Sequence, residues 1–415
     1  MTREREALRV AVIGQGFMGR AHGLGWGRAA ALEGSRMRPE LAVLCGRDRA
    51  ALASHATRYG FAGWSDKWEE VVGREDVDLV DICTPGASHA GIALAALAAG
   101  KHVLCEKPLA NTLDEARQMA GAAQEAAVNG VFAMVGFNNR RVAAVAAARA
   151  LVAEGRIGRV RHVRAVYLQE WLVDPLFPLT WRLDAAEAGS GTLGDLLSHV
   201  VDLVRFLTGR EIDEVVSILE TFVAERPAGT SGAGLSATAD AGGSTGLVTV
   251  DDACAVLARL EGGALAVLEA TRVAPGHKNA LVVELNGSRG SLRFDLERLN
   301  ELELYEIGGL FDGFSRRLVT NPGDPYAGQW WPPGHILGWE HSFVHEFQDL
   351  MAAIADGQQP EPSFLDGFLT QAVLDAVSRS AASRSWTPVD RATGYATGQS
   401  NREKAAMHHP LGEFS

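Results

Sequence analysis

Cysteine is scarce in this sequence, and the little there is does not cluster. Cys45, Cys83, Cys105 and Cys254 are the only four in 415 residues, and none forms a C-x-x-C pair with another. That spacing argues against a disulfide framework and against a structural zinc site, so no metal is expected. Three of the four end short Val/Leu/Ile runs and read as small buried strand residues. Long apolar runs are missing too. No stretch reaches the roughly 18 uninterrupted apolar residues of a membrane-spanning helix, and no membrane partner is expected. The opening segment, Met1 to Arg9, is charged and lacks the apolar core and cleavage site of a secretory signal, which places the chain in the cytoplasm. Basic residues are outnumbered, 39 Lys and Arg against 51 Asp and Glu, a net charge of −12. A large nucleic-acid footprint is therefore not expected. There is no internal repeat.

What is present is the balance of a folded globular protein, 47% apolar and 22% charged, with 46 glycines. At roughly 100–200 residues per domain, the length asks for two domains. The first third alternates short apolar runs with helical stretches. Leu8–Ile13, Leu41–Cys45, Leu79–Cys83, His102–Cys105 and Val131–Val135 read as strands, with Phe61–Ala62 as a minor one. Helices fall between them, one around Trp68–Val72, one from about Ser88 to Ala99, and one opened by the capping box Thr112-Leu-Asp-Glu115. Strands spaced by one helix each make crossover units, and so a doubly wound parallel sheet over residues 1–136.

From Phe137 the texture changes. After a helix over Val142–Glu154, strands come close together at Val160–Leu168, Cys254–Leu260, Ala264–Thr271, Leu281–Leu285 and Ser291–Phe294. Glu261-Gly-Gly263 and Asn286-Gly-Ser288 are hairpin-type turns between them. Residues 137–390 thus read as an α+β domain with a large, mostly antiparallel open sheet, whose free face suits a homo-oligomer. The Gly/Ser/Ala/Thr-rich tract 228–246 reads as a mobile loop, and 391–415 as a polar tail.

Gly14-Gln-Gly16-Phe-Met-Gly19 follows the first strand and opens a helix, the context in which G-x-G-x-x-G carries information. Gly14 allows a tight turn, Gly16 lets backbone approach a pyrophosphate, and Gly19 allows close helix–strand packing. Without a ligand the same motif is only a glycine-rich turn. The residue that reads the adenosine ribose belongs at the end of the second strand. There Gly46 and Arg47 stand where an acidic residue is usual, with Asp48 two positions on, which leaves NAD and NADP both open. Glu106-Lys107-Pro108 follows the fifth strand at the sheet edge where ligands bind. The proline favours a rigid turn there, with a cis bond as one option. Further on, Asp195 and His199 lie four apart on a helix, and a carboxylate beside an imidazole raises its basicity. The alternative is a solvated polar stripe shared with Ser198, Asp202 and Arg205. His341 and His345 are also four apart, but the HExxH order is absent, which favours packing. Trp330 and Trp331 offer either a wall over the site or an oligomer contact.

Taken together, GQGFMG, Thr84-Pro85-x-x-x-His89, Glu106-Lys107-Pro108, Gly136-Phe-Asn138 and Gly194-Asp195-x-x-x-His199 resemble the glucose–fructose oxidoreductase and inositol dehydrogenase (Gfo/Idh/MocA) family. Gln169-Glu-Trp171 through Trp181-Arg182 resembles its levoglucosan dehydrogenase branch. The resemblance spans about residues 8 to 390. It implies hydride transfer between NAD or NADP and a secondary hydroxyl of a sugar or cyclitol. It implies that Lys107 positions the hydroxyl, Asp195 orients the pair and His199 is the general acid/base. It also implies cofactor contacts from Gly14, Gly16, Phe17, Met18, Gly19, Gly46, Arg47, Asp48, Thr84, Pro85, His89, Glu106, Lys107 and Asn138. The sugar site it implies is Lys107, Asn139, Gln169, Trp171, Arg182, Asp195, His199 and His335, with Asn139 standing where this branch often has tyrosine. Dimers or tetramers are the implied assemblies. Two other activities fit the same fold, a catalytically silent dinucleotide sensor and an enzyme that recycles a tightly held NAD during glycoside cleavage or epimerisation.

Overall fold

The computed structural model describes residues 6–32, 36–228, 230–231, 237–239 and 244–393. The first sheet has six strands, β1 (Glu6–Ile13), β2 (Met37–Cys45), β3 (Gly63–Ser65), β4 (Leu79–Ile82), β5 (His102–Glu106) and β6 (Ala133–Gly136). All are parallel and lie in the order β3-β2-β1-β4-β5-β6. β4 is buried at every position, as a parallel strand covered on both faces must be. Helices α1 (Phe17–Ala31), α2 (Arg49–Tyr59), α3 (Trp68–Val72), α4 (His89–Ala98) and α5 (Leu113–Ala127) make the crossovers. The capping box at α5 is formed, with Thr112 accepting from the Glu115 amide and Glu115 accepting from that of Thr112. The order reverses between β1 and β4, so a crevice opens above their carboxyl ends, where such sheets take ligands. Phe61 is no strand residue. It is buried in the core, and the minor strand β3 begins two residues later.

The second half contains α6 (Ala143–Ala153), β7 (Val160–Leu168), α7 (Ala185–Ala188), α8 (Ser198–Thr208) and β8 (Ile212–Glu220). In and beside the tract read as a mobile loop, the described residues form two small antiparallel ribbons. β9 (Glu225–Pro227) pairs with β12 (Thr245–Leu247), and β10 (Thr230–Ser231) with β11 (Thr238–Ala239); residues 229, 232–236 and 240–243 lie outside the described set. Then come β13 (Ala253–Leu260), β14 (Leu265–Thr271), β15 (Ala280–Gly287), β16 (Gly290–Asp295), β17 (Glu301–Glu306) and β18 (Ser315–Leu318). The chain ends in α9 (His341–Asp356), α10 (Phe364–Ser383) and β19 (Thr387–Pro388). The sheet order is β18-β17-β16-β15-β7-β14-β13-β8-β19, antiparallel except for the β7–β14 pair.

Burial alternates residue by residue along β13 and β14, the period-2 signature of a sheet covered on one face. The covered face packs on α6, α8 and α10. The other presents Ile218, Leu257, Leu265 and Val267 to the surface. The turn expected at Asn286–Ser288 falls one residue later, because Gly287 is still paired with Val160 in the ladder.

Two parts of the chain cross the expected boundary. α9 packs on α1 of the first sheet, with Phe347 stacked on Trp26 at 4.0 Å between ring centroids. Phe343, Leu350 and Met351 complete that core. The start of the expected tail is also docked. Arg391 pairs with Asp213 and Glu261, and residues 394–415 lie outside the described set.

Candidate active site

The turn after β1 is shaped for a phosphate. Gly14 has φ +120°, and a Cβ there would meet the Cys83 carbonyl oxygen at 2.4 Å; a Cβ on Gly19 would meet the Gly14 oxygen at 1.7 Å. At Gly16 nothing lies within 4 Å, so the backbone is open to a neighbour. Gly16 caps α1 without a side-chain hydrogen bond, which leaves the first-turn amides and the positive dipole end for an anion. Phe17 and Met18 begin that helix, and Phe17 stacks on Trp339 at 5.7 Å. At the end of β2, Gly46 lies against the side chain of Gln15, whose Oε1 is buried with no partner among the described residues. Arg47 is exposed beside it. Asp48 is the N-cap of α2, accepting from the Ala50 and Ala51 amides through Oδ1. These features fit a dinucleotide whose pyrophosphate rests on α1 and whose adenosine ribose faces Gln15 and Arg47.

β5 delivers Glu106 and Lys107 to the same edge, and the Lys107–Pro108 bond is cis. Lys107 Nζ donates to the Asp195 carbonyl oxygen at 2.8 Å and to its Oδ1 at 3.1 Å. Asp195 lies in a single turn of π-helix, Leu193–Leu197, that runs into α8. Such wide turns gather at functional sites because they redirect side chains. Asp251 holds the turn from outside, accepting the Gly191 and Leu193 amides through its two carboxylate oxygens. Gly191 must be glycine, since a Cβ there would sit 1.9 Å from the Asp251 carbonyl oxygen.

Burial would push the Asp195 carboxyl up, but Lys107, Arg272 and Arg182 together hold it below its usual range, so it is ionised. Its nearest partners are cations. No side-chain hydrogen bond joins Asp195 to His199, contrary to the dyad expected from their spacing. The wide turn spends the carboxylate on Lys107, and the His199 ring lies between Phe137 and Tyr167, edge-on to both, with centroids 6.1 and 5.8 Å away. Its Nδ1 meets the carboxamide of Asn139 at 3.2 Å. Burial first, then the Lys107 charge, push the imidazole well below its usual range, while Asp195 pulls the other way. His199 is therefore neutral at physiological pH and able to accept a proton.

The far wall is a chain of polar groups from β7 and the loop after it. Trp171 Nε1 donates to Gln169 Oε1, and Gln169 Nε2 and Tyr167 Oη both donate to Asn279 Oδ1. Arg272, just past β14, stacks on Trp171 at 5.3 Å, donates to the Asp251 carbonyl and brings Nη1 within 3.9 Å of Asp195 Oδ2. Arg182 lies over Trp181 at 4.4 Å with its charge near Asp195 and Arg272. Sequence reading missed Tyr167, Arg272 and Asn279. They sit at strand ends without a motif, Tyr167 next to the last residue of β7, Arg272 one past β14 and Asn279 one before β15.

Several expected ligands have protein partners of their own. His89 is buried and its two ring nitrogens face the Thr84 and Pro108 carbonyls, so it braces two site loops against each other. Thr84 Oγ1 accepts from Ser88, and Pro85 precedes that short turn. Asn138 donates to Ser342 on α9. Glu106 is buried, with Oε1 on His22 Nε2 at 2.9 Å and Oε2 accepting the Lys107 amide. His22 Nδ1 contacts Asp81, which also accepts from Trp26 and Cys83. Burial opposes a charge on His22, but Asp81 and its neighbours raise the imidazole well above its usual range. His22, Asp81 and Cys83 bring three possible metal-ligand atoms within 4.8 Å of one another, and all three are already engaged in these hydrogen bonds. Glu346 on α9 adds a buried carboxyl with no hydrogen-bond partner among the described residues, pushed up to about 8 by burial. His335 is exposed, bonded to the Pro332 carbonyl, and no hydrogen bond or ring contact among the described residues joins it to Asp195 or His199. His345 has both ring nitrogens engaged, by the Arg141 carbonyl and Trp330 Nε1, which also fixes Trp330 against α9.

Comparison with known proteins bears on the family of the chain. Residues 8–137 match the model of the GFO/IDH/MocA oxidoreductase family, NAD-binding Rossmann fold, and residues 145–293 match the GFO/IDH/MocA C-terminal domain. Levoglucosan dehydrogenase of Pseudarthrobacter phenanthrenivorans is 39% identical over 92% of this chain and 98% of its own. An oxidoreductase domain protein from Kribbella flavida superposes with a TM-score of 0.88 at 52% identity, covering 93% of this chain and all of its own. A levoglucosan dehydrogenase in complex with NADH and levoglucosan superposes with a TM-score of 0.86 at 37% identity, covering 92% of this chain and all of its own. The six-stranded sheet with its phosphate turn and the nine-stranded sheet behind Lys107, Asp195 and His199 are thus the two halves of an NAD-dependent oxidoreductase, and the chain belongs to the GFO/IDH/MocA family.

Proposed function

We propose that the protein oxidises a secondary hydroxyl of a sugar, with a compact, levoglucosan-like pyranose as the first substrate class to test. The observation that carries the reading is the convergence of Lys107 Nζ, the Asp195 carboxylate and a neutral His199 at the carboxyl edge of β5, on the sheet that carries the phosphate turn. NAD, when held at the Gly14–Gly19 turn, would supply the hydride acceptor. The rest is done by the chain. The Lys107 ammonium donates to the substrate hydroxyl oxygen and stabilises the negative charge that develops as the C–H hydride leaves. Asp195 holds that ammonium by two contacts, and ionised it keeps Lys107 oriented. His199 takes the hydroxyl proton, so the alcohol becomes a ketone with hydride and proton both accounted for. Gln169, Arg182 and Arg272 offer donors for the remaining hydroxyls. One face of Trp171 is taken by Arg272, so the sugar meets its edge or its other face.

The absence of an acidic residue at Gly46–Arg47 makes NADP worth testing beside NAD. The apolar stripe of Ile218, Leu257, Leu265 and Val267 suits a second copy of the chain packing sheet to sheet. Four free, buried cysteines and the lack, among the described residues, of a helix long and apolar enough to cross a membrane suit the cytoplasm. The test is a panel of sugars and cyclitols with NAD and NADP in parallel, following reduced cofactor. Turnover that is lost in Lys107→Ala and His199→Ala supports the reading. Cofactor binding without turnover on any sugar favours a sensor, and cofactor that copurifies without net reduction favours internal recycling.

A further inference from the structure

Asn139, expected in the sugar site, lies against the imidazole, its carboxamide 3.2 Å from His199 Nδ1, and it is buried. As placed, Nδ2 donates to Nδ1, which puts the single proton of a neutral ring on Nε2. Asn139 Oδ1 is then buried with no partner among the described residues. A ring protonated on Nε2 has no lone pair there with which to take a proton. Turning the carboxamide about its own axis changes this, with the amide nitrogen then standing where the unmatched oxygen stood. The oxygen then accepts from Nδ1–H, and Nε2 becomes the free base. The two ends of an amide are alike in shape, so the turn needs no movement of the backbone.

We infer that Asn139 is a positioning residue that fixes the tautomer of His199. Its oxygen holds the proton on Nδ1 so that Nε2 serves as the base in alcohol oxidation, and it accepts the same Nδ1–H when the ring is an imidazolium in ketone reduction. The inference rests on His199 being the proton acceptor. The other groups facing the ring cannot do this. Phe137 and Tyr167 meet it edge-on. The Lys107 ammonium repels the charged ring, and Asp195 acts on it only through space, its carboxylate bonded to Lys107 with Arg272 and Arg182 beyond. Asn139 is the one group hydrogen-bonded to the ring among the described residues.

The test uses the full-length enzyme and three variants, Asn139→Leu, Asn139→Asp and His199→Gln. In ¹⁵N-histidine spectra without substrate, the resonances lost in His199→Gln identify the ring. They should report Nδ1–H in the wild type and a shift toward Nε2–H in Asn139→Leu. With the substrate found in the sugar screen, Asn139→Leu should lower kcat about ten- to hundred-fold with KM little changed, no more than the roughly hundred-fold low end of what positioned proton transfer contributes. Asn139→Asp keeps the shape and an oxygen facing Nδ1. It should retain more activity than the leucine variant and move the acid limb of kcat/KM upward by about one to three pH units, because a carboxylate then faces the ring. A rise in KM at unchanged kcat, with an unchanged tautomer and acid limb, would overturn the inference and return Asn139 to the sugar site. His199→Gln with undiminished turnover would overturn the catalytic reading itself, while the spectra would still say which nitrogen carries the proton.

Discussion

The two ends of the cleft are built from different materials. The phosphate end is backbone. Gly14, Gly16 and Gly19 leave out side chains so that amides and a helix terminus can face an anion, and six consecutive residues contain the whole device. The proton-transfer end is side chains drawn from four separate stretches, with Lys107 after β5, Asn139 in the turn before α6, Asp195 and His199 at the start of α8, and Arg272 after β14. A backbone device is local and tolerant of its surroundings. A side-chain device depends on every element that carries a member, and its electrostatics cannot be assigned pair by pair.

That contrast can be broken at either end. The largest effect is expected from Lys107→Ala or His199→Ala, a loss of at least ~100-fold in kcat by the usual worth of positioned acid–base groups, with cofactor affinity retained. Loss of cofactor binding in these variants, measured by NADH fluorescence titration, would mean the two ends are not separable. Gly14→Ala is the mirror experiment. Its Cβ meets Cys83 backbone at an unfavourable φ, so NADH affinity should fall at least ~ten-fold, about 1.4 kcal/mol. Arg272→Ala removes a charge facing Asp195 and the donor to the Asp251 carbonyl. An approximately ten-fold fall in kcat/KM for the sugar, with NADH affinity unaltered, is expected from the usual worth of one charged hydrogen bond.

The pH profile sharpens the same contrast. His199 is pushed below its ordinary value, so the base form persists as pH falls through the range where free imidazole titrates near 6.5. The acid limb of kcat/KM for alcohol oxidation should therefore lie below that range, and a limb at or above it would contradict the burial of the ring. The smallest effect is expected at Asp48→Ala. As a helix cap it should cost about 1 kcal/mol in a urea melt and leave cofactor affinity unchanged. A ten-fold weaker NAD affinity would instead make Asp48 the reader of the ribose.

The backbone end was legible from the sequence because its information is contiguous. A strand, three spaced glycines and a helix are all visible in one window. The capping box at Thr112 and the strand ends at Lys107 and Thr84 were legible for the same reason. The side-chain end was legible only in part. Asp195 and His199 share a helix face on paper, but a turn of π-helix stands where regular spacing was assumed, and it aims the carboxylate at Lys107. The partner of His199 lies 60 residues earlier in the chain, and Arg272 carries no motif. The ribbons between β8 and β13 were hidden by composition, since residues rich in Gly, Ser and Ala pair as readily as they wander when a neighbouring strand offers hydrogen bonds.

The stacking of Phe347 on Trp26 has a consequence for biosynthesis. One face of the nucleotide-binding half is sealed by a helix that leaves the ribosome only after most of the chain has been made, so an apolar stripe of α1 waits uncovered while the second sheet is synthesised. A nascent chain halted before α9 would be the species most exposed to chaperones and to aggregation, and a fragment ending after β6 would inherit the same bare surface for good.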